Sequence, residues 1–170
     1  MRTAVKEQAK AVLRPFAGGE DSVAIIAHSW GTVVAYDSLL DLQVEQPALQ
    51  MADLITLGSP LWLVRRLLED RSGRKPGQLA QWTNVHARGD LVGAWLSTGF
   101  RVDEEFEVPN FGGGDAHGSY FVEGNEAVQR DIVARAILAT DAGRAGGAET
   151  GRSGRERTNG RRRGRGGELA

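Results

Sequence analysis

The stretch IIAHSWGTVVAYD, residues 25–37, decides the fold, because it runs from β-branched apolar residues into a helical pattern through one serine. Ser29 stands at this junction, directly after Ala27 and His28 and two residues before Gly31. One interpretation is a helix N-cap, where a serine hydroxyl accepts a hydrogen bond from a free N–H. The other is a nucleophile elbow, the sharp strand-to-helix turn that lifts a serine above a sheet.

Composition sets the broad class of the protein. The chain has 170 residues, which predicts one domain, and 41% hydrophobic with 25% charged residues is ordinary for a soluble globular protein. It contains no cysteine, which excludes disulfides and thiolate metal sites. The N-terminus does not have the pattern of a signal peptide, and no apolar run approaches the roughly 18 residues of a membrane span. These features predict a soluble, cytoplasmic protein.

The small net charge of −1 conceals an uneven distribution. Residues 141–170 contain 8 arginines, 4 acidic residues and 9 glycines, whereas residues 1–140 contain 13 basic and 18 acidic residues. We therefore expect a folded domain over 1–140 and a disordered Arg/Gly-rich tail over 141–170, whose deletion leaves thermal stability and any activity nearly unchanged. Such tails can bind RNA, but this one lacks the aromatic residues that stack on bases, so nucleic acid is not an expected partner.

Apolar runs and helical patterns alternate along the chain. Helices are predicted over about 4–14, 30–42, 61–70 and 125–139, and strands over 22–27, 54–57, 82–87 and 100–108. The run at 22–27 is continuously apolar, which is typical of a strand buried on both faces. The run at 100–108 includes consecutive acidic residues, which an edge strand or a bulge tolerates. This alternation predicts an α/β fold with a mostly parallel sheet.

Three polar residues follow three of the predicted strands. Ser29 follows the first strand, Asp90 the third, and His117 lies in the loop after the fourth. The carboxyl ends of parallel strands meet at one edge of a sheet, so we expect these side chains to converge there. Neutral serine needs a nearby base to act as a nucleophile, and a carboxylate can orient that base. The sequence therefore predicts a catalytic Ser29–His117–Asp90 arrangement.

Four segments resemble bacterial lipase-like α/β-hydrolases, namely AHSWGTVVAYDSLLDL, LITLGSPL, WTNVHARGDLV and DAHGSYF. The elbow pattern is small-x-Ser-x-Gly, with Ala27 in place of the commoner glycine and Gly31 at the other flank. We expect small residues at both flanks because strand and helix cross tightly there. The resemblance covers residues 21–139. It implies a three-layer α/β-hydrolase-like fold and cleavage of an ester or lipid-like substrate through an acyl-serine intermediate, with no metal or other cofactor.

The resemblance also assigns roles to individual residues. His117 would take the proton of Ser29, and Asp90 would hold the useful tautomer of the imidazole. The N–H of Trp30 would donate to the oxyanion. The Trp62 side chain would contact substrate, and that of Trp30 would either contact substrate or pack on the sheet. The entrance candidates are Leu61, Trp62 and Leu63.

Several alternatives stay open in the sequence. Asp90 could be only a turn residue, and His117 could be a solvated surface residue. His86 is a competing base, although its place inside a strand favours a packed side chain. His28 adjoins the serine and is expected to point away from the site. Asp115 is a competing acid, but two residues from His117 it is awkwardly placed to orient that ring.

The chain departs from the family pattern at its N-terminal side. Family members begin with several strands before the elbow, and a loop among them supplies a second oxyanion donor. Only about 21 residues precede the first predicted strand here, without such a motif. We therefore expect an open edge on that strand, self-association, and weak esterase activity that an upstream segment would improve. The alternative function is a catalytically impaired remnant or a small-molecule binding module.

Overall fold

The computed structural model describes residues 2–17, 23–111, 113–134 and 138. Its helices and strands are α1 (Arg2–Leu13), β1 (Val23–His28), α2 (Trp30–Glu45), β2 (Met51–Leu57), α3 (Leu61–Val64), β3 (Leu79–Ala87) and β4 (Glu104–Val108), followed by a π-helical segment, Ala127–Val133. The expected tail at 141–170 lies outside the described residues. Within the described ranges, no helix is both long enough and apolar enough to cross a lipid bilayer.

The four strands form one sheet in the order β1-β2-β3-β4, and every neighbouring pair is parallel. The predicted α/β fold with a parallel sheet is therefore confirmed. Leu57 pairs with His28 on one side and with Val85 on the other, so the carboxyl ends of the first three strands lie level. The loops that follow these ends consequently share one edge of the sheet, where sites in α/β folds form.

An apolar cluster lies on each face of the sheet. Adjacent residues of one strand point to opposite faces, so Leu54 packs with Tyr36 and Leu39 of α2, whereas Ile55 packs on the other side. The second cluster also contains Tyr120 and residues of the π-helical segment, namely Val128 and Ile132. Helical structure thus covers both faces, and the predicted three-layer arrangement is confirmed.

The expectation that β1 is buried on both faces is wrong. Ala27 is the buried residue of this strand, and the side chain of Ile26 is 44% exposed. The reason is the position of β1 at one edge of the described sheet. Val23, Ile25 and Ala27 pack into the cluster beneath α1 and α2, whereas Ile26 alternates to the opposite face.

Two other elements are shorter than the sequence predicts. The helix expected over 61–70 is the four-residue α3, continued by one 3₁₀ turn, Arg65–Leu67. The strand expected over 100–108 begins only at Glu104. Just before it, the Asp103 N–H donates to the Trp82 carbonyl at 2.9 Å, and the Asp103 carboxylate accepts a 2.7 Å hydrogen bond from the N–H of Trp82. β4 lies at one edge of the described sheet, which is one of the two alternatives that its acidic residues left open.

Candidate active site

Ser29 occupies a strained turn between β1 and α2. Its backbone angles are φ 53° and ψ −130°, and among the described residues it is the one position other than glycine with a positive φ. The surrounding backbone holds this conformation, because the Ser29 N–H donates to the Leu57 carbonyl at 3.0 Å and the Ser29 carbonyl accepts from Thr32. Strain of this kind persists only where neighbours over-determine it, and it is concentrated at functional sites.

The hydroxyl of Ser29 does not cap α2. No hydrogen bond joins it to the first turn of that helix, so the N-cap interpretation is wrong. Instead, Ser29 Oγ lies 2.8 Å from Nε2 of His117. The strained turn therefore directs the hydroxyl toward the loop that follows β4.

His117 connects the serine to a buried carboxylate. Its Nδ1 lies 3.0 Å from Oδ2 and 3.1 Å from Oδ1 of Asp90. A carboxylate can only accept hydrogen bonds, so Nδ1 carries the proton in the neutral ring. This leaves Nε2 unprotonated, as an acceptor for the Ser29 hydroxyl. The structure thus brings the three residues together in the order Ser29, His117, Asp90.

Asp90 is fully buried at its carboxylate, yet it is held as an anion. Burial by itself raises the pKa of this group. Hydrogen bonds from the Tyr120 hydroxyl, the Gly93 N–H, His117 and the Val92 N–H outweigh that effect, and the pKa of Asp90 lies below its usual value. A carboxylate that stays ionised beside the ring can stabilise a positive charge on His117.

Tyr120 is a contact of Asp90 that the sequence analysis did not identify. Its hydroxyl donates to Oδ2 of Asp90 at 2.6 Å and accepts from the N–H of Ala87 at 2.8 Å. Burial, and then the hydrogen bond to Asp90, raises the pKa of Tyr120, so the phenol stays protonated and remains a donor. The available signal was its position in the quoted segment DAHGSYF, three residues after His117.

Gly58 allows the end of β2 to pass directly beneath the site. Its φ is +55°, and a Cβ there would lie 2.8 Å from the Tyr120 ring and 3.0 Å from Oδ2 of Asp90. The segment LITLGSP therefore needs glycine at this position. Gly31 does not carry the role that was expected of it, because among the described residues a Cβ there would meet nothing within 4 Å. The helix starts clear of the strand at that flank, so the expected tight crossing is wrong for Gly31.

The residues expected to contact substrate fall into two groups. The Trp30 side chain is 52% exposed and that of Trp62 is 43% exposed, and Leu63 is also exposed. The indole N–H of Trp62 donates to the Val92 carbonyl at 2.9 Å, which ties α3 to the loop after Asp90. Leu61, in contrast, is fully buried in the apolar cluster beneath α2, so its assignment to the entrance is wrong.

His86, the competing base, and Asp115, the competing acid, both make contacts away from Ser29. His86 is buried, with its ring 4.3 Å from that of Trp95. Asp115 accepts a hydrogen bond from the N–H of Gly118, a contact within its own turn. His28 does not point away from the site as expected. Its side chain lies on the face of β1 that carries Ile26, and this face adjoins the ring and backbone of His117.

Among the described residues, we find no group of three or more histidine, aspartate or glutamate side chains that could hold a metal ion. At the start of α2 the N–H of Trp30 has no carbonyl four residues earlier within the helix to bond, whereas the N–H of Thr32 donates to the Ser29 carbonyl at 3.0 Å.

The chain was compared with known families, curated proteins and solved structures. No family model matches it, and no curated protein sequence matches it. A solved structure with a related arrangement is that of a candidate cell surface hydrolase from Lactobacillus plantarum WCFS1, 15% identical with a TM-score of 0.48. The match covers 87% of this chain and 66% of the other, so this chain spans just under two thirds of that protein.

Proposed function

We propose that this chain is a serine hydrolase of the lipase or esterase type, which cleaves an ester by acyl transfer to Ser29. The observation that carries the proposal is the continuous hydrogen-bonded path from Ser29 Oγ through His117 to Asp90, with separations of 2.8 and 3.0 Å. These separations match those of a nucleophile, its general base and an orienting acid. The strained backbone of Ser29 is a second, independent support.

The proposed first half-reaction forms the acyl-enzyme. Ser29 Oγ attacks the carbonyl carbon of the ester while Nε2 of His117 accepts the hydroxyl proton. The carbonyl π electrons move onto oxygen, giving a tetrahedral oxyanion that faces the N–H of Trp30 at the start of α2. As this intermediate collapses, the C–O bond to the alcohol breaks and His117 returns the proton to the departing oxygen. The acyl group then remains on Ser29.

The second half-reaction removes the acyl group with water. His117 accepts a proton from a water molecule as its oxygen attacks the acyl carbon, and then donates that proton to Ser29 Oγ as the carboxylic acid leaves. In both halves the imidazolium forms beside Asp90. The hydrogen bonds that lower the pKa of Asp90 keep its carboxylate charged throughout, so each imidazolium is paired as it forms.

The surroundings of Ser29 favour an ester with an apolar portion. Trp30 follows the nucleophile directly, and Trp62 is anchored to the loop after Asp90, with much of each indole exposed. Exposed aromatic side chains bind apolar groups at little cost in conformational entropy. We propose that these two indoles contact the acyl or alcohol chain of the substrate.

The proposal is tested with p-nitrophenyl esters of increasing acyl length and with a fluorophosphonate probe. Wild-type protein should be labelled and should hydrolyse the esters. Ser29→Ala should lose the label, and its turnover should fall by at least about 10⁴-fold. Ser97→Ala is the matched control, because Ser97 is an exposed serine in the loop after Asp90 and should leave both readouts unchanged.

Two results would contradict the proposal. One is equal labelling of wild-type protein and Ser29→Ala. The other is saturable binding of esters without turnover, which would favour the binding-module alternative.

A further inference from the structure

We propose that His28 is a positioning residue, which fixes His117 relative to Ser29 by binding the backbone of His117. The inference rests on the proposed function, because it concerns the alignment of the same base and nucleophile. It assigns a task to a residue that contacts neither Ser29 Oγ nor the imidazole nitrogens of His117 through a hydrogen bond.

The contacts of His28 all lie on the loop that carries the base. Its Nε2 is 3.0 Å from the carbonyl oxygen of His117. The ring centroids of His28 and His117 are 4.8 Å apart at an angle of 33°, and the Tyr120 ring lies at 5.6 Å. Phe121 meets the His28 ring edge-on at 5.2 Å. His28 therefore contacts His117 both through its backbone and through its ring.

The Tyr120 hydroxyl ties the loop after His117 to the end of β3, whereas two further bonds stay within the turn itself. The Gly118 N–H donates to Asp115, and the Ser119 N–H donates to the Ala116 carbonyl. Both bonds span three residues, so they shape the turn but do not locate it over the sheet. The bond from His28 ties the turn to β1, because His28 is the last residue of that strand and immediately precedes the nucleophile. The end of β1 thus helps to fix the positions of both the base, His117, and the nucleophile, Ser29.

The geometry specifies the tautomers of the two neighbouring rings. A backbone carbonyl only accepts, so Nε2 of His28 must carry a proton to donate to it. In His117 the proton is on Nδ1, which faces Asp90. The two imidazoles therefore have opposite tautomers.

Three substitutions separate the hydrogen bond from the packing. His28→Gln places an amide N–H at the position of Nε2, whereas His28→Asn places it nearer that of Nδ1. His28→Phe keeps a ring but has no donor. We expect His28→Phe and His28→Asn to lower kcat by about 3- to 10-fold with little change in KM, and His28→Gln to stay within about 2-fold of wild type. Wild-type kcat in His28→Phe, or an equal loss in His28→Gln, would overturn the proposal.

A second measurement does not depend on turnover. Long-range ¹H–¹⁵N NMR correlations of the wild-type full chain report which nitrogen of each histidine is protonated. We expect Nε2–H for His28 and Nδ1–H for His117, with the His117 signals disturbed in His28→Phe and retained in His28→Gln. An Nδ1–H tautomer at His28 would overturn the inference whether or not the protein hydrolyses esters. Absence of hydrolysis together with the expected tautomers would refute only the proposed function.

Discussion

The Tyr120 hydroxyl bridges the Asp90 carboxylate, to which it donates at 2.6 Å, and the N–H of Ala87, from which it accepts at 2.8 Å. This bridge joins the loop that carries His117 to the end of β3 and to the acid that orients His117. Both hydrogen bonds of this buried phenol lie at the end of β3, where the acid is held, so its loss should affect both stability and the proposed chemistry.

Tyr120→Phe should lower the free energy of unfolding by about 1–3 kcal/mol, because a donor to a charged group is lost and the Ala87 N–H loses its acceptor. It should also lower kcat/KM, since Asp90 is held less firmly. Urea unfolding and ester hydrolysis measure the two effects. Tyr36→Phe is the control, because the Tyr36 hydroxyl donates to the Arg74 carbonyl, far from Asp90 in the chain. Equal losses of activity in both variants would show that Tyr120 acts only through stability.

Acid should destabilise the protein partly through Asp90. The pKa of Asp90 is lowered in the folded state, so its contribution to stability is complete above its ordinary value of 3.8 and is lost as the pH falls toward the folded value. Unfolding free energies measured from pH 6 to pH 3 should therefore decrease. Asp90→Asn should make this decrease shallower without abolishing it, because Glu45 and Glu107 also have lowered pKa values. An unchanged slope in Asp90→Asn would contradict this assignment.

Gly58→Ala should damage both folding and activity. The new Cβ would have a strained positive φ and would lie within about 3 Å of Tyr120 and Asp90, so either the backbone or the acid must shift. We expect a loss of about 1–3 kcal/mol in the free energy of unfolding, together with reduced kcat. Gly31→Ala is the matched control, because its Cβ would enter open space at the start of α2. Similar stability losses in the two variants would refute the argument from close approach.

Ile26→Lys should reduce self-association of the chain. β1 lies at the edge of the described sheet, its six residues VAIIAH include no Asp, Glu, Lys or Arg, and Ile26 is largely exposed. A lysine on an edge strand opposes pairing with another chain. Static light scattering across a concentration series measures the effect. Val44→Lys introduces the same charge at an exposed position of α2 and should leave association unchanged. A concentration-independent monomer in the wild type would remove the basis of the prediction.

Ser29→Gly should be more stable than Ser29→Ala by about 1 kcal/mol, because glycine adopts a positive φ without a steric penalty. Both variants lose the hydroxyl, so the comparison isolates the backbone strain. Thermal and urea unfolding of the pair provide the measurement. Equal stability of the two variants would mean that a residue with a Cβ adopts the positive φ at position 29 without strain.

The sequence was informative where one pattern implied one structure. A continuous apolar run followed by a serine and a helical pattern predicted the junction of β1 and α2 to within a residue or two. The alternation of elements then placed the loops carrying Asp90 and His117 at the same edge. These inferences needed only periodicity and the rule that parallel strands end together.

Other features depended on tertiary contacts that no local pattern encodes. The burial of β1 follows from its position in the sheet, and an apolar run alone cannot tell an edge strand from a central one. The orientation of His28 depends on where the loop after β4 returns, 89 residues later in the chain. Leu61 and Trp62 are adjacent apolar residues, yet one fills the core and the other is exposed, because α3 turns only one face inward.

The positive φ of Ser29 also bears on how this sequence can change over generations. A serine here carries a conformational cost that glycine would not, so mutations to glycine would spread easily in any lineage that no longer used the hydroxyl. Retention of serine at this position across relatives would therefore record continued selection for its chemistry. Glycine at the same position would mark descendants in which the reaction has been abandoned while the fold persists.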